Sequence, residues 1–126
     1  MATNIRNADS YMGSFWDWTA YNDLFSPTKI RISDIDGVVE RNGHFLYIET
    51  KSPGAEITTG QRIMHDAWIK KGDSVLVIWG DANRPERACL RWRGKAWEYS
   101  PCNESTVREI IRRWFHMANT GVAHGK

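Results

Sequence analysis

The sequence has little cysteine and no long hydrophobic run. Its two cysteines, Cys89 and Cys102, are too few for a disulfide scaffold, and they lack the spacing of metal ligands. No apolar segment approaches the roughly 20 residues that a membrane-spanning helix needs. The N-terminus also lacks a basic segment followed by an apolar core, so it does not resemble a secretion signal. We therefore expect a soluble protein in a reducing, cytoplasmic setting with no membrane partner.

Excess charge of one sign is also missing. The 17 basic and 15 acidic residues leave a net charge of +2, which does not by itself indicate a nucleic-acid partner. The four histidines show no ligand spacing, so we expect them at the surface rather than at a zinc site. A length of 126 residues with 41% hydrophobic and 25% charged residues predicts one globular domain spanning residues 1–126.

Periodicity predicts a mixed α/β architecture, with a central sheet flanked by helices. Aromatic residues at helical spacing from Ala8 to Phe25 predict a first helix, which Pro27 ends. The continuous apolar run Ser74–Trp79 predicts a central strand buried on both faces. The remaining predictions are a strand over 29–40, its partner over 44–51, a helix over 60–71, an edge hairpin over 87–99, a helix over 104–118 and a disordered tail over 119–126.

Carboxylates and an amine lie on two of these strands, in the segment from Asp34 to Lys51. Residues i and i+2 of a strand share a face, so Asp34 is expected beside Asp36, and Glu49 beside Lys51. Asn42-Gly43 supplies the positive φ angles of a tight hairpin. The hairpin folds the second pair towards the first and predicts a cluster of three carboxylates and one ammonium group. A buried ionic cluster is seldom worth its desolvation unless it has a function, which favours a functional site over a structural salt-bridge network.

These residues resemble the PD-(D/E)xK nuclease superfamily, within it the small Holliday-junction resolvases and the VRR-NUC domains. The resemblance rests on Asp36 before an apolar strand, the hairpin turn, the Glu49-Thr50-Lys51 tripeptide and Gln61 at the start of the next helix. It implies a restriction-endonuclease-like core and covers about residues 34–80. Two departures from the family pattern are the absence of a proline before Asp36 and the glycine, Gly37, after it.

The resemblance implies a Mg²⁺-dependent deoxyribonuclease, with Mn²⁺ able to substitute. Asp36 and Glu49 are suitable oxygen ligands for such a cation, and the backbone carbonyl of Thr50 is a third candidate. Asp34 remains open as a further ligand or as a partner of the ligands. Lys51 is expected to stabilise negative charge in the transition state, and Gln61 to orient a water or a phosphate oxygen.

We expect an endonuclease acting on duplex or branched DNA, selective for structure rather than sequence, in a bacterial or phage-infected cell. Arg87, Arg91, Arg93 and Lys95 on the edge hairpin are candidates for contacts with the DNA backbone. A charged edge that discourages aggregation explains them equally well. The N-terminal helix or the edge hairpin is a candidate homodimer interface. The alternative function is a non-catalytic module that uses a nuclease fold to bind DNA or protein.

Overall fold

A computed structural model describes residues 16–120 of the chain. The contacts divide the chain into two compact units, Met1–Asp34 and Ile35–Lys126. In the first unit, residues Trp18–Phe25 form a 3-10 helix, which begins after Asp17 accepts a hydrogen bond from the Thr19 amide at 3.0 Å. The rest of the predicted first helix, residues 8–15, lies outside the described residues. None of the helices within residues 16–120 has the length and hydrophobicity that a membrane span needs.

The predicted strand over 29–40 is largely wrong, because only its last residues pair with a neighbour. Ile30 and Ile32 alternate with polar residues as in a strand, yet they are 60% and 37% exposed. Their amides donate to the side chains of Thr28 and Asn22 instead of to another strand. The apolar side chains of this segment therefore do not form a buried strand face.

The second unit is an α/β structure with a mixed five-stranded sheet. The strands follow one another across the sheet in the order of the chain. Only β2 and β3 are parallel; every other neighbouring pair is antiparallel. The elements are β1 (Gly37–Arg41), β2 (His44–Lys51), α1 (Thr59–Lys70), β3 (Ser74–Asp81), β4 (Arg84–Trp92), β5 (Lys95–Tyr99) and α2 (Glu104–Thr120).

The turn chemistry read from the sequence is confirmed. Asn42 and Gly43 have φ angles of 55° and 81°, and the turn joins β1 to β2. Arg93 and Gly94, with φ angles of 53° and 76°, make the same kind of turn between β4 and β5. Two consecutive residues in the left-handed region give the backbone twist that matches paired strands.

The two helices cover opposite faces of the sheet. On one face Leu46, Leu76 and Ala88 pack against α2, which contributes Ile110 and Trp114. Alternate residues of the same strands form the other core, which contains Val75, Val77, Trp79 and Cys89 and packs against Trp68 and Ile69 of α1. The buried run of β3 thus faces a helix on each side, as its continuous hydrophobicity predicts.

Helix α2 begins where predicted and ends later. Asn103 and Thr106 exchange hydrogen bonds at its start. The helix continues to Thr120, so residues 119 and 120 are helical and not part of a disordered tail. Residues 121–126 lie outside the described part.

Candidate active site

Strand β2 directs Glu49 and Lys51 to the face that α1 covers. Tyr47, two residues before Glu49, stacks on Trp68 of α1 with ring centroids 3.8 Å apart. Burial, and then the negative charge of Asp73, raise the pKa of the Tyr47 hydroxyl. Since side chains alternate along a strand, Glu49 and Lys51 follow Tyr47 on this face, and they lie near the carboxyl end of the strand.

Asp36 lies directly before β1 and beside the end of β2. Gly37 pairs with Ile48, so continuing the register by one residue brings Asp36 opposite Glu49. One carboxylate oxygen of Asp36, Oδ2, accepts from the Thr50 amide at 2.8 Å and from the Thr50 hydroxyl at 3.1 Å. Two donors on one oxygen fix the carboxylate at the strand end. The predicted proximity of Asp36 to the Glu49-Thr50-Lys51 segment is therefore present.

Asp34 does not share a strand face with Asp36, because both residues precede β1. It belongs to the first unit, where its Oδ1 accepts a hydrogen bond from the Trp18 indole at 3.0 Å. The predicted shared face is therefore wrong, and a role for Asp34 towards a metal stays a prediction.

Gln61 links the side chains of Glu49 and Lys51 to the first turn of α1. Its amide oxygen accepts from the Thr58 backbone amide at 3.0 Å and from Lys51 Nζ at 2.8 Å. Its amide nitrogen donates to Glu49 Oε2 at 2.6 Å. The orientation of the amide follows from chemistry, because a backbone N–H and an ammonium group only donate and a carboxylate only accepts. The backbone N–H of Gln61 donates in return to Thr58 Oγ1, and this pair of bonds forms a capping box at the start of the helix.

His65 approaches the second oxygen of the same carboxylate. Its Nε2 lies 3.2 Å from Glu49 Oε1, and the histidine is 1% exposed. Residues four apart lie on one helix face, so Gln61 and His65 reach Glu49 from consecutive turns of α1. We call these two residues the Glu49 clamp. Both oxygens of the carboxylate are therefore held by α1.

Two of the four histidines contradict the prediction that they lie at the surface. His65 is buried, and His44 is 6% exposed. His116 is exposed as predicted, and His124 lies outside the described residues. The spacing of His65 four residues after Gln61 could have placed both residues on the same helix face. The histidines were considered only as metal ligands, so a role of His65 as a hydrogen-bond partner was not predicted.

The donor set fits a hard divalent cation that keeps most of its waters. Within residues 16–120 no group of three or more histidine, cysteine and acidic side chains is arranged to hold a metal ion. Mg²⁺ is usually bound in proteins by only one or two carboxylates together with water, which is what Asp36 and Glu49 offer. A carboxylate has about four lone-pair positions, so the two hydrogen bonds of the Glu49 clamp leave Glu49 able to bind a cation.

A cleft of about 480 Å³ lies at the carboxyl ends of the two parallel strands, and Lys51 lines it whereas Asp36 and Glu49 do not. The ends of β2 and β3 form its walls together with Glu104 and Val107 of α2, the helix on the opposite face of the sheet from α1. Ligands of α/β sheets bind characteristically outside the carboxyl ends of the strands. The cleft also has the size of a small-molecule site, so it is large enough to admit part of a nucleotide.

The predicted basic residues divide into two groups. Arg87 and Arg91 lie on the α1 face of β4, where the Arg87 guanidinium lies 3.8 Å from the ring centre of Trp79 and Arg91 forms an ion pair with Asp66 at 2.7 Å. Arg93 occupies the hairpin turn, and Lys95 begins β5. The four residues therefore do not form one continuous row. Arg91 is held by Asp66, and Arg87 forms a longer ion pair with Glu98 at 3.7 Å.

Comparisons with known proteins give no relative. No family model, curated protein or solved structure matches the chain. The resemblance to PD-(D/E)xK nucleases therefore rests on the motif residues and their geometry, and it stays a prediction.

Proposed function

We propose that this protein is a divalent-metal-dependent endonuclease of the PD-(D/E)xK type, with a restriction-endonuclease-like core, that hydrolyses phosphodiester bonds in DNA. The observation that carries the proposal is the convergence of Asp36, Glu49 and Lys51 at one end of the β1–β2 hairpin, held there by Thr50 and Gln61. Two carboxylates and one ammonium group would provide a cation site next to a positive charge, and the ammonium group belongs to a residue that lines the cleft. A reducing, cytoplasmic setting belongs to the same proposal.

Each residue has a task that follows from its chemistry. Asp36 and Glu49, with the Thr50 carbonyl, would hold Mg²⁺ or Mn²⁺, and a bound cation supplies Lewis acidity and activates water. Lys51 offers its ammonium group to the negative oxygens of the scissile phosphate. Gln61 contacts Lys51 and Glu49 directly, so we assign it the task of holding both side chains in place rather than of orienting water.

Arg87 is the basic residue best placed to contact a DNA backbone near this site. Lys51 pairs with Trp79, and Trp79 pairs with Arg87, so the three residues form a row across one face of the sheet. Neighbouring strands lie about 4.8 Å apart, which separates the Lys51 and Arg87 backbones by about 10 Å. The Arg87 guanidinium stacks on the Trp79 ring in a cation–π contact, which orients it. Arg87 would thus bind a phosphate close to the one that is cleaved.

Contacts of this kind favour selectivity for DNA structure. Lysine and arginine contacts to phosphates position a duplex but carry no sequence information. We therefore propose duplex or branched DNA as the substrate class. A homodimer formed through the edge hairpin, where Trp97 is 38% exposed, belongs to the same proposal, and sedimentation at several concentrations tests it.

The deciding experiment is cleavage of linear, flapped and four-way DNA with Mg²⁺ or Mn²⁺. We expect wild-type cleavage of at least one substrate, and its loss in Asp36→Asn and Lys51→Ala. Lys70→Ala is a matched control for Lys51→Ala, since Lys70 lies on the exposed surface of α1 and its loss should leave cleavage unchanged. DNA binding without metal-dependent cleavage of any substrate would instead indicate the non-catalytic binding module.

A second experiment separates Arg87 from Arg91. Arg87→Ala should weaken DNA binding and reduce by about one the slope of log affinity against log salt. Arg91→Ala should change both much less, because Asp66 holds the Arg91 guanidinium at 2.7 Å, whereas the ion pair of Arg87 with Glu98 is longer, at 3.7 Å, and more exposed. Equal losses in the two variants would exclude the row from Lys51 to Arg87 as the backbone-binding surface.

A further inference from the structure

His65 is a polar group in an apolar environment. It is 1% exposed, and its ring lies 5.8 Å from the ring of Trp68 at an interplanar angle of 21°. The side chain of its partner Glu49 is 19% exposed, so the carboxylate reaches solvent while the histidine does not. A buried ring nitrogen is costly without a hydrogen-bond partner, and the Glu49 carboxylate is the partner that the fold provides.

The contact with Glu49 fixes which ring nitrogen carries the hydrogen. A carboxylate accepts hydrogen bonds, so Nε2 must be the donor towards Glu49 Oε1. The other ring nitrogen, Nδ1, is buried and has no hydrogen-bond partner within the described residues. The geometry therefore requires a hydrogen on Nε2.

Together with Gln61, His65 removes the rotational freedom of the Glu49 carboxylate. Gln61 donates to Oε2 and His65 to Oε1, so neither oxygen can turn without breaking a hydrogen bond. The capping box fixes the Gln61 amide, and burial beside Trp68 fixes the His65 ring. Ordering a glutamate side chain costs conformational entropy, and in this protein that cost is met during folding instead of during ligand binding.

We propose that His65 is a positioning residue, whose Nε2–H holds Glu49 in the orientation that binds the divalent cation. This inference rests on the proposed nuclease function, because it assigns Glu49 to the cation. Outer hydrogen-bond partners of metal ligands typically contribute 10- to 100-fold in affinity. His65 thus contributes to cation binding without touching the cation or the DNA.

Mn²⁺ binding to the full chain, measured by calorimetry without DNA, tests this role. His65→Phe keeps the burial but removes the donor, and we expect Mn²⁺ to bind about 10- to 100-fold more weakly. His65→Gln carries an amide N–H in the region of Nε2 and should recover most of the affinity. An affinity of His65→Phe within twofold of wild type would overturn the inference and leave the nuclease proposal intact. Wild-type protein that binds no Mn²⁺ would overturn both.

Nuclear magnetic resonance of the metal-free wild type gives a second readout that needs neither a variant nor a cation. Long-range proton–nitrogen correlations distinguish the two imidazole tautomers. We expect His65 to carry its hydrogen on Nε2, and hydrogen on Nδ1 alone would overturn the proposed contact. In cleavage assays at saturating metal, His65→Phe should recover much of the wild-type kcat, whereas a general folding defect would not be relieved by metal.

Discussion

Replacing Gln61 by alanine should destabilise the protein more than removing the helix cap alone. Thr58→Ala deletes the hydroxyl group that accepts a hydrogen bond from the backbone N–H of Gln61. Loss of such an N-cap costs about 1 kcal/mol of unfolding free energy. Gln61→Ala removes three side-chain hydrogen bonds: the one accepted from the Thr58 backbone N–H and those with Lys51 and Glu49. Each of these three bonds contributes about 0.5–1 kcal/mol, because water partly replaces them in half-buried positions. The expected loss in unfolding free energy is about 2 kcal/mol.

Urea unfolding followed by tryptophan fluorescence measures both variants against wild type. The midpoints should shift in the order wild type, Thr58→Ala, Gln61→Ala, with an unchanged slope if the native state is otherwise preserved. The double variant should cost less than the sum of the single ones, because the two residues share one capping box. If Gln61→Ala were no more costly than Thr58→Ala, the bonds to Lys51 and Glu49 would contribute nothing to stability, and the reasoning about the site would fail.

Three further predictions concern the fold around the site. Gly80→Ala should be strongly destabilising, since the added Cβ would meet the Arg84 carbonyl and approach Pro85 Cα to 2.8 Å. Leu46→Ala, in a fully buried position, should lower the unfolding free energy by about 2–5 kcal/mol. The pKa of the Cys89 thiol is raised to about 11, first by burial and then by the charge of Glu98. The thiol should therefore react slowly with alkylating reagents at pH 8, and its contribution to stability should be present below pH 9 and decline as the pH rises towards 11.

Each of the three has a matched control. Gly94 has φ 76° with open space around its Cβ position, so Gly94→Ala should show only backbone strain and cost less than Gly80→Ala in the same urea experiment. Leu24 is 74% exposed, and Leu24→Ala should be nearly neutral. For the thiol, a Cys89→Ala protein whose stability declines just as steeply between pH 9 and 11 would assign the decline to another group.

Much of the second unit could be predicted because its signals are local. The Asn42-Gly43 turn and the buried run of β3 each depend on the properties of a few adjacent residues. The prediction of a strand over 29–40 was largely wrong, because the alternation of Ile30 and Ile32 with polar residues does not show whether a neighbouring strand is available for pairing. Pairing is a property of the whole fold, and no local pattern contains it.

The candidate site shows the same division. Asp36, Glu49 and Lys51 could be brought together from strand alternation and one hairpin turn. The buried position of His65 depends on how α1 packs over Tyr47 and Trp68, which spacing alone does not report. Arg91 likewise reads as an exposed cation in the sequence, whereas its ion pair with Asp66 depends on the neighbouring helix.

The Glu49 clamp also has a consequence for the folding pathway. Its two hydrogen bonds span only 12 and 16 residues of chain, and loops of about this length close in roughly 10–100 ns. We therefore expect these contacts to form early, once α1 docks on the sheet, and the β4–β5 hairpin to join later. Substitutions in the clamp should then slow refolding as well as speed unfolding, whereas substitutions in β5 should act mainly on the unfolding rate.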